Sequence, residues 1–384
     1  MAQHALLSPS ASHRWINCAA APRLEAGEED RGSSFAAEGT LAHAYCARRL
    51  KKYLCLPTPS EDAEIAQLSA EYHTGEMDEH TEAYSLQVIE KLLAAQRTTP
   101  DARLLVETRL DFRDYVPESF GTADAIIIAD GCIEVIDFKY GKGVKVDAPN
   151  NSQMMIYALG AVERFGLDYR IDRVRMTIVQ PRLNHLSEWE ITTGALHQWA
   201  DEVLIPAARR AYRGDGEAVA GDWCKFCKVR GRCRALAERC TALAADHPDP
   251  RLLTFAEVAA LLSEVSVVST WAAGLEEFAL RAALDGAELP GWKVVAGRSV
   301  RRIADPDSVA AALRGAGFDD ALIYKPTELR SLTELERTAG KKQFATLCGQ
   351  YVDKPKGKPT LAPLSDKRAA YNTAAADFEG IEEA

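Results

Sequence analysis

The sequence predicts an α/β protein in which helices flank a mixed central sheet, and three observations support this fold class. A β-hairpin is predicted from Ala125 to Phe138, because an apolar β-branched run meets Asp130-Gly131, a favoured two-residue turn, before an alternating stretch. A strand precedes the hairpin, and a helix followed by two more strands comes after it, which is the order of a layered α/β core. These further strands are predicted over 102–110, 171–180 and 186–191, with the helix over 151–165.

Helices are also predicted before and after this core. Ser8 and Pro9 are typical of a helix start, so a helix containing Cys18 is expected over residues 13–24. Helical periodicity recurs over 36–54, 75–97, 197–212 and 255–284. The remaining C-terminal residues predict an α+β extension, with a hairpin over 289–302 and short helices over 307–314 and 331–339.

Composition and charge describe an ordinary globular protein. The 384 residues are 47% hydrophobic and 27% charged, with a formal net charge of −10. No run of 18 apolar residues and no signal-peptide pattern is found, so a cytoplasmic protein without a membrane partner is expected. The negative charge argues against indiscriminate nucleic-acid binding, although residues 142–145 and 341–368 are locally basic.

The predicted hairpin brings two acids and a lysine to one end. Asp124 begins the first strand, whereas Asp137 and Lys139 end the second and share one face because they are two residues apart. Carboxylates bind hard divalent cations, and a lysine can position or deprotonate a water or stabilise a charged transition state. The alternative is an edge hairpin with solvated charges. Glu107, in the preceding strand, is either a further acid near this end or a solvent-facing residue.

Four motifs in chain order resemble the RecB-like branch of the PD-(D/E)XK nuclease superfamily. They are a helical histidine at His43, Gly-x-x-Asp at 121–124, Asp-x-Lys at 137–139 and Gln-x-x-x-Tyr at Gln153 and Tyr157. The resemblance implies a restriction-endonuclease-like core in which His43, Asp124 and Asp137 bind Mg²⁺ or Mn²⁺. It also implies that Lys139 acts on the water, while Gln153 and Tyr157 hold the nucleic-acid backbone. The sequence departs from the family at the first acid, where Thr-Ala-Asp replaces Pro-Asp.

A cysteine triplet follows the predicted core. Cys224, Cys227 and Cys233 have the spacing Cys-x2-Cys-x5-Cys, which indicates metal ligation in a cytoplasmic chain and needs a fourth ligand. Cys240 is close in sequence, but the resemblance to RecB-like nucleases of the AddB and CRISPR-adaptation types implies Cys18 and a 4Fe–4S cluster. Zinc is the alternative occupant. The other cysteines, predicted to be packing thiols, are Cys46, Cys55, Cys132 and Cys348.

The resemblance covers about residues 8–240 and also extends to phage and prophage proteins of this branch. It implies a nuclease domain over 1–240 and a C-terminal extension over 241–384 for DNA or a partner. The expected activity is metal-dependent DNA exonuclease cleavage in phage-type recombination or replication, acting on single strands or resected ends beside a single-strand-binding or annealing protein. One alternative is a catalytically silent nucleic-acid-binding or scaffold protein. A zinc-containing DNA-binding module ranks below both, because the triplet lacks the paired histidines of finger modules.

Overall fold

The computed structural model describes residues 5–28, 34–245 and 253–294. The chain divides into two units, Met1–Val295 and Ala296–Ala384, and the described residues all belong to the first. That unit therefore continues past residue 240, where the predicted nuclease domain ends. The short helices over 307–314 and 331–339, the basic segment 341–368 and most of the hairpin over 289–302 lie outside the described residues.

The described elements alternate between helices and a single run of strands. The helices are α1 Ser12–Asn17, α2 Ala21–Glu25, α3 Ser34–Tyr53, α4 Pro59–Tyr72, α5 Gly75–Gln96, α6 Ser152–Phe165, α7 Thr193–Trp199, α8 Ile205–Arg213, α9 Arg234–Ala245 and α10 Phe255–Leu284. The strands are β1 Arg103–Asp111, β2 Phe120–Ala129, β3 Gly131–Phe138, β4 Ile171–Gln180 and β5 His185–Thr192. Short 3₁₀ helices span Pro9–Ala11, Pro181–Leu183 and Asp222–Phe226, and a π-helical turn spans Ala200–Leu204.

The five strands form one mixed sheet in the order β1-β2-β3-β4-β5. Only β3 and β4 are parallel, since α6 crosses between them, and the other neighbours are antiparallel. Ala129 pairs with Cys132 across the two-residue turn, where Gly131 has φ +75°, a left-handed conformation that glycine adopts without steric cost. The predicted hairpin and the mixed α/β class are therefore confirmed.

Helices cover both faces of the sheet. On one face, Ile126, Val135 and Met176 are buried against α6, α7 and α8. On the other face, Ile127 and Phe138 are buried against α3, α4 and α5. A sheet covered on both sides buries both faces of its central strands, which explains the apolar run from Ala125 to Ala129 in β2.

Three local predictions differ from the structure. The single helix over 13–24 is wrong, because the chain leaves the helix at Cys18, with φ −133° and ψ 89°, and resumes helical structure at Ala21. No helix is predicted over 59–72, where the structure has α4 with Pro59 in its first turn. The helix over 197–212 contains the π-helical turn.

Helix α10 is long and apolar enough to cross a membrane by length and composition, with a mean hydropathy of 1.5 over its most apolar window. Only 11% of that window is buried, and one such helix is weak evidence for a membrane span. Its polar residues contact the rest of the unit: Glu264 pairs with Arg239 at 2.8 Å, and Glu277 pairs with Arg230.

Candidate metal centre and cysteine site

The candidate centre lies where β2 and β3 separate. Their last pair is Ala125 with Ile136, so the next residues, Asp124 and Asp137, face each other at the fork. Asp124 Oδ2 accepts a hydrogen bond of 2.7 Å from the Phe138 backbone N–H. Strand pairing and this hydrogen bond therefore bring the two acids together, as the hairpin pattern predicts.

On the α6 side, Asp137 belongs to a network with Lys139 and Gln153. Lys139 Nζ lies 3.2 Å from Asp137 Oδ1 and 3.0 Å from its Oδ2, and it donates to Gln153 Oε1 at 3.1 Å. Gln153 Nε2 donates in turn to Asp137 Oδ1 at 3.2 Å. Asn151 caps α6 by accepting from Met154 N, so the cap sets the start of the helix just before Gln153. The lysine is thereby held beside the acid in one orientation.

Tyr157, one helical turn after Gln153, packs beside the network without an ion-pair role. It is 8% exposed and its ring lies 5.8 Å from that of Phe112. A Cβ on Gly121 would lie only 2.9 Å from Tyr157 Cε1, so the glycine of the Gly-x-x-Asp motif gives the tyrosine room against β2. Burial raises the pKa of Tyr157 well above its ordinary value, so the phenol stays protonated.

From the opposite side of the sheet, α3 places His43 against Asp124. His43 Nδ1 lies 3.2 Å from Asp124 Oδ1, and the imidazole packs edge-on to the Phe138 ring at 5.2 Å. Ligand atoms of His43, Asp124 and Glu107 all lie within 4.8 Å of one another. His43, the helical histidine predicted from the sequence, therefore contacts Asp124, one of the two acids with which the resemblance groups it.

Glu107 completes this group through an unusual backbone conformation. It has φ +49°, in the left-handed region that non-glycine residues seldom occupy, and it lies opposite Asp124 where pairing is interrupted between Val106–Ala125 and Thr108–Ala123. Such strain costs about 1–3 kcal/mol and persists only where the surroundings enforce it. From the sequence, Glu107 is either a further acid near the fork or a solvent-facing strand residue, because nothing local in β1 signals this left-handed backbone conformation.

The electrostatics of the group reflect crowded acids in a partly dry site. Burial and the charge of Asp124 raise the pKa of Glu107 to about 7. Burial lowers the pKa of His43, but the charges of Asp124, Asp137 and Glu107 outweigh it and raise that pKa to about 9. The pKa of Asp124 is lowered, despite burial, by His43, whereas burial raises the pKa of Asp137. The site therefore has a surplus of negative charge that a proton or a cation can neutralise.

The second site contains the cysteines predicted as cluster ligands. Cys18, Cys224, Cys227 and Cys233 line one enclosed space of about 10 Å³, about the room that one water molecule needs. The backbone N–H of Val219 points at Cys18 Sγ and that of Gly221 at Cys224 Sγ, each at 3.4 Å. Cys240 is buried in the same apolar cluster as Cys224 and Leu236 but does not line the space. The structure thus brings Cys18, and not Cys240, to the triplet.

Comparison with known proteins identifies the family. Residues 4–369 match the family described as Protein of unknown function (DUF2800). The chain belongs to this family. Among solved structures, the family member is similar to one titled "Crystal structure of SSO0001", with 14% identity and a TM-score of 0.23 over 58% of this chain and 96% of that one.

The candidate metal centre of this DUF2800 member has donors suited to a hard divalent cation. The candidate ligands are carboxylate oxygens and one imidazole, the set that Mg²⁺ and Mn²⁺ accept. Asp137 Oδ2 is buried and accepts no well-aligned hydrogen bond, although Lys139 Nζ is 3.0 Å away. A buried carboxylate oxygen without a good donor is costly, so a cation at the fork would satisfy it.

The cysteine site has a different geometry. Among the described residues, the group of metal-binding side chains whose ligand atoms all lie within 4.8 Å is His43, Glu107 and Asp124, and the cysteine sulfurs form no such group. A single zinc ion bonded at 2.3 Å would hold its sulfurs about 3.8 Å apart. The four thiols line one space, but no three of their sulfurs meet the 4.8 Å limit in the described residues.

Proposed function

We propose that this protein is a metal-dependent DNA nuclease, acting as an exonuclease, with a PD-(D/E)XK core. The observation that carries the proposal is the strand fork. It opposes Asp124 to Asp137, places Lys139 beside Asp137, and receives His43 from one helical layer and Gln153 from the other. Glu107, held there by a strained backbone, adds a third carboxylate that a merely structural hairpin does not need.

The residues divide the work of phosphodiester hydrolysis between them. His43, Glu107, Asp124 and Asp137 would hold Mg²⁺ or Mn²⁺, which when bound polarises the phosphate and lowers the pKa of water. The charge of Asp137 raises the pKa of Lys139 although burial opposes it, so the lysine stays protonated at neutral pH. It is therefore suited to neutralise charge on the phosphate and to orient a water, rather than to accept a proton.

Gln153 and Tyr157 have supporting roles in this proposal. Gln153 accepts a hydrogen bond from Lys139 and donates one to Asp137, so it fixes the orientation of both side chains. In this proposal the face of α6 that carries Gln153 is directed towards the substrate. Tyr157 is mostly buried, which favours a part in shaping the cleft against Gly121 over direct contact with a long stretch of nucleic acid.

The cysteine site is proposed to hold a 4Fe–4S cluster that stabilises the fold and takes no part in hydrolysis. The choice of a cluster over a single zinc ion rests on the resemblance to iron–sulfur nucleases, and backbone N–H groups that point at two sulfurs suit thiolate ligands. The free space at its centre is small, so binding requires the thiols to turn outward from their closed packing. Cys18 would then tie the segment after α1 to the chain after the sheet.

The deciding experiment is a nuclease assay on end-labelled and circular substrates, single- and double-stranded, with Mg²⁺ and Mn²⁺. We expect metal-dependent release of nucleotides from ends, and loss of at least a thousandfold in rate for Asp124→Ala, Asp137→Ala and Lys139→Ala. The matched control is Asp172→Ala, because Asp172 is exposed and pairs only with Arg170 on the surface. Full activity of the Asp124→Ala or the Asp137→Ala protein would overturn the assignment. An inactive wild-type protein that still binds DNA would overturn it in favour of a binding or scaffold protein.

A further inference from the structure

A groove of about 680 Å³ opens beside the cysteine site. Its walls are the N-terminal segment at Ser10–Arg14, the 3₁₀ helix Asp222–Phe226 and the middle of α10. The loop after Lys139 contributes Val144 to the same groove. It is a mixed polar and apolar surface assembled from four separate parts of the chain.

Exposed aromatic rings line this groove. The Phe226 side chain is 66% exposed, unusual for a phenylalanine, and Lys225 Nζ lies 5.8 Å from its ring. Trp223 is fixed by a 2.7 Å hydrogen bond from its Nε1 to Val219 O, and its ring meets that of His13 edge-on at 6.2 Å. A rigid indole next to an exposed phenyl ring under a lysine forms a surface on which a flat ring can stack.

The charges around the groove favour an anionic ligand. Lys225 lines it, and Lys142 and Lys145 lie in the loop that contributes Val144, where Lys145 pairs with Asp147 at 3.5 Å. The acid that lines the groove, Asp222, pairs with His13 at 3.5 Å. The carboxylate of Asp222 is therefore already engaged by His13. The lysines can then bind the phosphates of an unpaired strand whose bases stack on the aromatic rings.

The groove also adjoins the candidate catalytic fork. Ser12 Oγ lies 2.7 Å from Ser152 Oγ, and Ser152 directly precedes Gln153, which holds Lys139. His13 follows Ser12 and contacts Trp223, so one continuous set of contacts leads from the fork to the aromatic surface.

We propose that this groove binds single-stranded nucleic acid, with an unpaired base stacked on Phe226 and neighbouring phosphates on Lys225 and the 142–145 loop. The inference deepens the proposed nuclease function and rests on it for the identity of the ligand. It assigns the protein a preference for unpaired over paired strands, because a base inside a duplex cannot present its face to Phe226.

Binding without cleavage tests the groove separately from the chemistry. The full-length Asp137→Asn protein, without added divalent metal, is titrated against a fluorescein-labelled 20-mer of thymidine and a labelled 20-base-pair duplex. Because stacking on an aromatic ring contributes about 1–3 kcal/mol per base, Phe226→Ala should weaken oligothymidine binding roughly tenfold and leave duplex binding unchanged. Phe226→Trp should restore single-strand binding. The matched control is Phe255→Ala, since Phe255 is 94% exposed at the start of α10 and lies outside the groove.

The outcomes separate the two proposals. Equal single-strand affinities for the Phe226→Ala and Phe255→Ala proteins would overturn the groove assignment even if the wild-type enzyme cleaves DNA. Binding that depends on Phe226 in a protein without metal-dependent cleavage would support the groove and overturn the nuclease. If Phe226→Ala lowers the melting temperature, Lys225→Ala is used as the test variant instead. A salt dependence of single-strand binding equal to that of the parent protein would then count against the groove. Failure of all proteins to bind the oligonucleotide would also overturn it.

Discussion

Replacing Glu107 by glutamine should stabilise the metal-free protein while it destroys activity. Burial and the neighbouring Asp124 raise the pKa of Glu107 from its ordinary value of 4.5 to about 7. A carboxyl with a raised pKa contributes stability that is fully present below pH 4.5 and is lost as pH rises through 7. Glutamine has nearly the same shape and no charge, so the variant does not lose this stability.

The size of the effect follows from the same shift. At 1.36 kcal/mol per pKa unit, ionising Glu107 in the fold costs about 2–3 kcal/mol at pH 7 and about 1 kcal/mol at pH 5. For a unit of this size, the pH 7 value corresponds to a rise in melting temperature of roughly 3–5 °C. With saturating Mn²⁺ the order should reverse, because the wild-type protein gains metal-binding energy that the variant largely lacks.

The assay is thermal unfolding in EDTA at pH 5 and pH 7, repeated with Mn²⁺, alongside the cleavage assay. Glu118→Gln is the control, because Glu118 also has a left-handed backbone, with φ +53°, but is exposed and belongs to no metal-binding group in the described residues. A variant at Glu107 that melts lower than wild type in EDTA at pH 7, or gains equally at both pH values, would refute the electrostatic reasoning.

Three further predictions concern the metal, the cluster and the substrate. His43→Ala should lower cleavage more with Mn²⁺ than with Mg²⁺, because an imidazole suits Mn²⁺ better. Cleavage rates equal to those of the wild type with both metals would make His43 a packing residue. After anaerobic preparation, the Cys18→Ala protein should lose iron and sulfide and melt at a lower temperature than the wild type. A Cys18→Ala protein that keeps its full iron and sulfide content would point to Cys240 as the fourth ligand. Stoichiometric zinc in the wild-type protein would exclude the cluster. Replacing Lys142 and Lys145 by alanine should flatten the dependence of log affinity on log salt by about 1.4 for single strands, and an identical slope would show that both are merely solvated.

The sheet and much of the fork could be predicted because their signals are local. Gly131 marks the hairpin turn, alternation marks β3, and Asn151 caps α6, so strand direction and the position of Asp137 follow from adjacent residues. Pairing across a two-residue turn then opposes Asp124 to Asp137 without further information. A hairpin therefore determines most of the site from about fifteen consecutive residues.

The rest depends on contacts between distant segments. The left-handed backbone of Glu107 arises where β1 passes the fork, and a glutamate within an apolar strand otherwise predicts a solvated side chain. The helix break at Cys18 accompanies packing against Val219, 201 residues later in the chain. The groove at Phe226 requires α1, a 3₁₀ helix and α10 to meet, which periodicity within any one of them does not reveal.

The position of Cys18 also has a consequence during synthesis. The thiols that share its space, Cys224, Cys227 and Cys233, are translated about two hundred residues later. At about 5–20 residues per second, a ribosome needs roughly 10–40 s to make that stretch. The residues of the candidate fork, complete by Tyr157, therefore emerge from the ribosome well before the segment at Cys18 can pack against Val219. A chain truncated between these segments would have every fork residue but would lack the thiols that share the space of Cys18.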